Sequence, residues 1–459
     1  MRTLIRNGRV ASEGRLQDAS VLVEDGRILA VAPPDRLGPV SADRELDAAG
    51  CYVLPGFIDF HTHVDDQIGR FYLADSYESG TRVAIQNGIT TLCTFVTQGP
   101  EAPLRQAMAT ARAKAEGHSH CDVLWHLTPT TFAPDDLRDL GAFLAAGYRT
   151  LKLYTTYKAA GIYASYERIE DLFRRFGPRG AVFMVHCEDD AVIAAVDPGS
   201  LDLADPHSHT RLRPEQAEVV AIHRVAALAM AHHAALHVVH VSTLEGAEYL
   251  AAARAQSPGH DLSFETCPQY LALDDAWLAR ADGHHWLCSP PLRGGREAFR
   301  ALVRAGAADI LATDHCAFRP EDKDDWNRAD LRTVANGLPG LGSLAHLAWQ
   351  LWADAPDRAA LALAVHLALN PARRAGLGQR KGDLRPGLDA DITVLDPAGP
   401  VRPVHSTLVP AFEAYPCASS GLAFRHVLLR GEPRVRDGQL LEPERPLGVP
   451  LQPAVASLP

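Results

Sequence analysis

Residues 51–63, CYVLPGFIDFHTH, run apolar until they end in two histidines one residue apart, His61 and His63. In an extended strand, residues i and i+2 project from the same face, so both imidazoles can reach one metal ion. In a chain with 21 histidines this tripeptide is weak by itself. Taken alone, a surface or hydrogen-bonded pair accounts for it better. Its meaning depends on the rest of the chain.

Between residues 54 and 377, short β-like runs alternate with helix-like ones, the pattern of a parallel sheet built from βα units. Eight runs qualify as strands: FIDFH, TTLCTFV, DVLWHLT, TLKLY, AVFMVH, LHVVHV, LSFETC and DILATD. Eight units in about 260 residues fit a (β/α)8 barrel. An open doubly wound sheet is disfavoured, because no GxGxxG follows the first strand. The two ends differ in texture from the middle. TLIRNGRV and SVLVEDGRILAVAP precede it, DADITVLD and HVLLRGEPRVRDGQLL follow it, and Asn7-Gly8, Asp25-Gly26 and Asp437-Gly438 are expected hairpin turns. The expected fold is α/β, a TIM-type barrel over 54–377 with a small β-sandwich domain formed by residues 1–53 and 378–459. After Pro443 an irregular tail is expected.

With 47% hydrophobic and 22% charged residues the chain has an ordinary globular composition. Its net charge of −11 argues against a nucleic-acid partner. The start, MRTLIRNGRV, reaches charged residues too soon for a signal peptide, and no run approaches the length of a membrane span. A cytoplasmic setting without a membrane partner is the expectation. The eight cysteines include no CxxC pair, so a zinc ribbon is unsupported and reduced thiols are expected. Cys187, Cys267 and Cys316 lie at or just past the ends of β-like runs, where packing is their expected role.

Reactive groups of such barrels collect at the C-terminal ends of the strands. Polar residues of this chain fall there repeatedly. His61 and His63 end the first strand, Lys152 lies in the fourth, His186 ends the fifth, His240 the sixth and Asp314 the eighth. Each sits in an apolar run where an unpaired polar group is costly to bury. Any one of them can be a satisfied core residue, but five strands supplying nitrogen and carboxylate ligands to one mouth point to a metal centre. Lys152 is the odd member, because an ammonium repels divalent cations. Burial favours its neutral amine, which can react with carbon dioxide to give a carbamate able to bridge two metals. An ion pair with an acidic neighbour is the alternative.

The order HTH, lysine in a strand, VHCE, VHVS and ATDH resembles the amidohydrolase superfamily, and within it the dihydropyrimidinases and hydantoinases. GFIDFHTHVD, KLYTTY, FETCPQYL, CSPPLR, TDHCAF, NGLPG and NPARRAGLGQRKGDLRPGLDADITVLDP sharpen the match, which runs to about residue 440. The resemblance implies a metal-dependent hydrolase that opens the cyclic amide of dihydropyrimidines or 5-substituted hydantoins to N-carbamoyl amino acids by a metal-bridging hydroxide. It implies that His61, His63 and Asp314 bind one divalent ion, that His186 and His240 bind a second, and that Lys152, as N6-carboxylysine formed with carbon dioxide, bridges both. Zinc suits this donor set, with manganese, cobalt or iron as other occupants. Asp314 doubles as general acid and base, with His315 beside it as the other candidate base, its side chain expected to point away. Tyr157 donates to the oxyanion, and backbone groups at Ser289 and Asn336 hold the edge of a small cyclic amide. A homo-oligomer of two or four chains is also implied.

Allantoinase, cyclic imide hydrolase, dihydroorotase-like and N-acyl amino acid hydrolase activities are the alternatives on the same scaffold. A non-catalytic scaffold role is disfavoured because all six candidate ligands are present. Dihydroorotases place an arginine where this chain has Asp65, which is expected to repel a substrate carboxylate. HSHTRLRP, residues 207–214, departs from the pattern and receives no role from the sequence.

Overall fold

Eight parallel strands form the centre of the computed structural model, which describes residues 1–37, 40–100 and 102–453. They are β1 (Phe57–His63), β2 (Ile89–Thr97), β3 (Asp122–Thr128), β4 (Thr150–Tyr154), β5 (Val182–His186), β6 (Ala235–Val238), β7 (Leu262–Thr266) and β8, which comes in two pieces, Ile310–Leu311 and His315–Cys316. Neighbours in sequence are neighbours in the sheet. The first piece of β8 pairs with β7 and the second with β1, so the sheet closes into a barrel. A helix follows every strand, from Tyr77–Gln86 after β1 to Leu344–Gln350 after β8. Helices outside and side chains inside bury both faces of the strands, which explains why β2 and β3 are apolar and β-branched with little alternation. The barrel floor carries two polar rings, His126 and His237, edge-on to Phe60. His126 bonds the Phe60 carbonyl at 2.8 Å and His237 the Ser263 hydroxyl at 2.8 Å, so neither is left unsatisfied.

A second, nine-stranded sheet draws on both ends of the chain. Its middle strand, Tyr52–Pro55, pairs parallel with Arg2–Ser12 and antiparallel with Ile392–Asp396. Ile5, Val10, Val21, Ile392 and Leu428 form its own core. Asp25-Gly26 and Asp437-Gly438 are the expected turns, with positive φ at both residues of each pair. Asn7-Gly8 is not a turn: it lies inside Arg2–Ser12 as a bulge where the register shifts, and the chain reverses instead at Glu13-Gly14. A Cβ on Gly8 would lie 2.4 Å from Val53, which is why glycine occupies the bulge. Residues 444–453 are irregular as expected, yet they are pinned. Val449 and Leu451 bond the backbone of Val123 on β3, and Leu451 is buried. Among the described residues, no helix is long and apolar enough to cross a membrane.

Barrel and terminal sheet are joined by a buried charge network. Lys381 donates to Asp122 at the start of β3 (2.8 Å) and to Asp391, and lies 3.7 Å from Asp389. Arg430 also pairs with Asp122, and its backbone N–H bonds Asp391 at 2.8 Å. Removing one partner of such a set strands the others without solvent. Lys381→Met is therefore expected to lower the unfolding free energy by about 3–5 kcal/mol in a denaturant titration. A loss below about 1 kcal/mol, the range of an exposed pair, would show that the network does not join the two parts.

Candidate metal centre

β1, β4 and β5, the segment just past β6 and the break in β8 deliver the six polar residues singled out in the sequence to one mouth. The ligand atoms of His61, His63 and Asp314 all lie within 4.8 Å of one another. Asp314 Oδ1 is 3.2 Å from His61 Nε2 and 3.5 Å from His63 Nε2. Lys152 Nζ lies 3.4 Å from His61 Nε2, and His186 Nδ1 lies 3.0 Å from His240 Nε2. The rings of His61 and His240 are 5.3 Å apart, which makes the two groups contiguous.

The local backbone is bent to achieve this. β6 stops at Val238, and His240 follows with φ of 38°; Asp314 has φ of 48°, Tyr157 of 70°. Non-glycine residues in the left-handed region are held there at a cost by their surroundings, and such residues cluster at working sites. For Asp314 the surroundings are visible. Thr313 donates its N–H and its hydroxyl to the buried Asp59 (3.0 and 2.6 Å) and also bonds the His61 carbonyl. That fixes the break in β8 against β1.

Lys152 is buried, and among the described residues it makes no ion pair with a carboxylate. Its Nζ sits 4.9 Å from the Phe95 ring and 5.2 Å from the Tyr154 ring. Burial pulls its ammonium down to about 8, with Asp314 and Glu265 opposing the shift. The structural ion-pair reading of Lys152 thus has no partner to support it.

Several residues that the sequence reading left without a role hold these side chains from behind. Glu265 on β7 bonds His61 Nδ1 and accepts from the backbone N–H of His240 at 3.3 Å, while its other oxygen meets His237 at 3.1 Å. His61 Nε2 is thereby left facing the mouth. Glu188 accepts from His186 Nε2 at 2.7 Å and from Arg213 at 3.0 and 3.1 Å. Burial works against the charge of Glu188, but Arg213 and His186 outweigh it and hold the carboxyl well below its usual range. This gives HSHTRLRP its role: Arg213 neutralises Glu188, and His209 bonds the Cys288 carbonyl at 2.9 Å. Glu188 and Glu265 lie within VHCE and FETC, but Glu188 is two residues past His186 and Glu265 is 204 residues from His61, so no common spacing marks them in the sequence.

The expectation for Asp65 changes. Its carboxylate and its carbonyl both accept from Lys114 at 2.9 Å, so its charge is met and repulsion of a substrate carboxylate loses its basis. His315 does point away, donating to Asp75 at 3.1 Å and accepting from the N–H of Gly340. Tyr157, Ser289 and Asn336 come together beside His186. The Tyr157 and His186 rings are 5.1 Å apart, and the Asn336 amide donates to the Ser289 hydroxyl at 2.7 Å. Burial pushes the Tyr157 phenol up to about 12, so it remains a donor. A cavity of about 390 Å³ opens from Tyr157 and Asn336 between Ile193, Val196, Leu212 and Val334.

The donor set fits divalent cations. Because His186 Nε2–H donates to Glu188, His186 Nδ1 presents a lone pair to His240 Nε2, and burial keeps both rings neutral. The two nitrogens are 3.0 Å apart, close enough to share an electrophile, and among the described residues His240 Nδ1 is a buried atom with no hydrogen-bond partner. Three imidazole and carboxylate donors within bonding span, with two more imidazoles alongside, match the ligand chemistry of divalent metals.

Comparison with known proteins bears on the same region. Residues 52–420 match the Amidohydrolase family. A D-hydantoinase from Streptomyces coelicolor is 34% identical over 405 residues, 86% of each chain, and a D-phenylhydantoinase from Escherichia coli is 31% identical over 95% of each. Among solved structures, a D-hydantoinase has a TM-score of 0.91 at 30% identity over 99% of both chains. The dihydropyrimidinase from Brevibacillus agri also has 0.91, at 28% identity over the whole of both. Likeness in sequence and in fold over nearly the whole length, on top of a mouth built for divalent ions, means that the chain belongs to the amidohydrolase family.

Proposed function

We propose that this chain hydrolyses the ring of a small cyclic amide, a dihydropyrimidine or a 5-substituted hydantoin, to the N-carbamoyl amino acid. The observation that carries the reading is the convergence of His61, His63, Asp314 and an ion-pair-free, buried Lys152 at one barrel mouth. His61, His63 and Asp314 would hold one divalent ion and His186 and His240 a second, with Lys152 linking them as N6-carboxylysine made from carbon dioxide. Zinc suits this set best. Bound divalent ions would supply the charge that makes water nucleophilic near neutral pH and polarises the ring carbonyl.

The chain's own residues account for the rest. The cyclic amide lies along Ser289 and Asn336, with its carbonyl towards Tyr157. As the water oxygen joins the carbonyl carbon, the Tyr157 hydroxyl donates to the oxygen that gains charge. Asp314 takes the proton released by the water and returns it to the ring nitrogen as the C–N bond breaks. An exocyclic substituent fits the cavity lined by Ile193, Val196, Leu212 and Val334, whose wall also carries His209, Arg213 and Arg332. A homo-oligomer of two or four chains belongs to this reading through the likeness to hydantoinases.

Three outcomes check it. Ring-opened products should form from dihydrouracil or a 5-substituted hydantoin and disappear on chelation, returning with added metal; activity confined to linear N-acyl amino acids would contradict the proposal. Lys152→Ala should lose most of its metal, by elemental analysis, together with its activity, and short carboxylic acids should restore part of both; a full metal complement in this variant would remove the carboxylysine. Asp314→Asn should lower kcat by about two to four orders of magnitude. Turnover near that of the parent would rule out its proton transfer.

A further inference from the structure

Lys323 is completely buried, yet among the described residues no carboxylate pairs with it. Its ammonium instead donates to three backbone carbonyls, Gly337 at 2.6 Å, Ala335 at 2.8 Å and Leu287 at 3.4 Å, and lies 5.5 Å from the Phe318 ring. A buried lysine with only carbonyl partners is costly, and burial pulls it down to about 7. Stability alone is served better by an apolar side chain in such a place. The position of the three carbonyls shows what the charge does. Ala335 and Gly337 flank Asn336, and Leu287 lies two residues before Ser289. The two segments are also tied directly, Gly337 N–H to the Leu287 carbonyl at 2.9 Å.

We propose that Lys323 is a positioning residue that sets and polarises the backbone edge on which the cyclic amide is held. The Ala335 carbonyl and the Asn336 N–H belong to one peptide group, so a cation on the oxygen strengthens the N–H as a donor. Among the described residues, neither that N–H nor that of Ser289 has a hydrogen-bond partner, which leaves both free for a ligand. The surroundings hold the device in place. Asp324, next to Lys323, accepts from His284 at 2.9 Å and His285 at 3.2 Å, gripping the turn that leads into Leu287. At Gly337 a Cβ would come 2.6 Å from Cys316 Sγ, so the approach to β8 excludes any side chain. Lys323 touches neither the metal ligands nor the reacting atoms, and its effect is transmitted through these peptide groups.

The inference rests on the proposed reading in taking Ser289 and Asn336 as the substrate edge, and the experiment separates the two. Metal-loaded Lys323→Met and Lys323→Arg are compared with the parent in three respects: metal content, kcat and KM for ring opening, and amide hydrogen exchange over 287–289 and 335–338. Full metal content is expected in both. In Lys323→Met, exchange over the two segments should rise, and KM should increase about tenfold or more with a smaller change in kcat, as for lost binding to ground and transition state alike. Lys323→Arg should restore part of KM. Unchanged exchange and KM in folded Lys323→Met, or a fall in kcat alone, would overturn the proposal. If the parent opens no cyclic amide, the exchange measurement still decides whether Lys323 orders the edge. If Lys323→Met fails to fold, Lys323→Gln, which keeps an amide donor, takes its place with the same outcomes.

Discussion

Closing an eight-stranded barrel requires the last strand to serve two neighbours, and β8 does so by breaking. Its first piece pairs with β7 and its second with β1, and the break carries Asp314 in a left-handed conformation at the mouth. The bond from Thr313 to Asp59 that secures the break also secures barrel closure. Geometry at the site and integrity of the fold therefore depend on the same few contacts. The break also sets Asp314 towards His61 and His63, 3.2 and 3.5 Å from their Nε2 atoms.

Three buried lysines show how surroundings assign different tasks to one side chain. Lys381 faces Asp122, Asp389 and Asp391 and ties the barrel to the terminal sheet. Lys323 faces three carbonyls and orders a backbone edge. Lys152 faces imidazole and aromatic rings and, among the described residues, pairs with no carboxylate; this is the environment in which a neutral amine is available for chemistry. Burial is common to all three; the partners decide the role.

Much of this was legible in the sequence because it repeats or ends strands. Eight apolar runs with helical stretches between them specify the barrel, and His61, His63, Lys152, His186, His240 and Asp314 stand out as polar residues inside apolar runs. Other features were hidden for physical reasons. Asn7-Gly8 looks like a turn because both residues accept positive φ, yet Val53 packs against Gly8 and makes it a bulge. The charge of Asp65 is cancelled by Lys114, 49 residues away. Arg213, Glu265 and Lys323 act through partners distant in sequence, and Glu188 is held charged by Arg213, 25 residues on, so only the folded chain shows them acting. Even His240, read as the end of β6, lies beyond it, because local propensity does not register a left-handed residue imposed by tertiary contacts.

Whether the strand ends assemble a two-metal centre bridged by a modified lysine is tested most directly by anomalous diffraction from crystals grown with zinc and bicarbonate. Two peaks are expected, one among His61, His63 and Asp314 and one against His186 and His240, with carboxylate density on Lys152 Nζ between them. A single peak, or two peaks beside an unmodified Lys152, would contradict it.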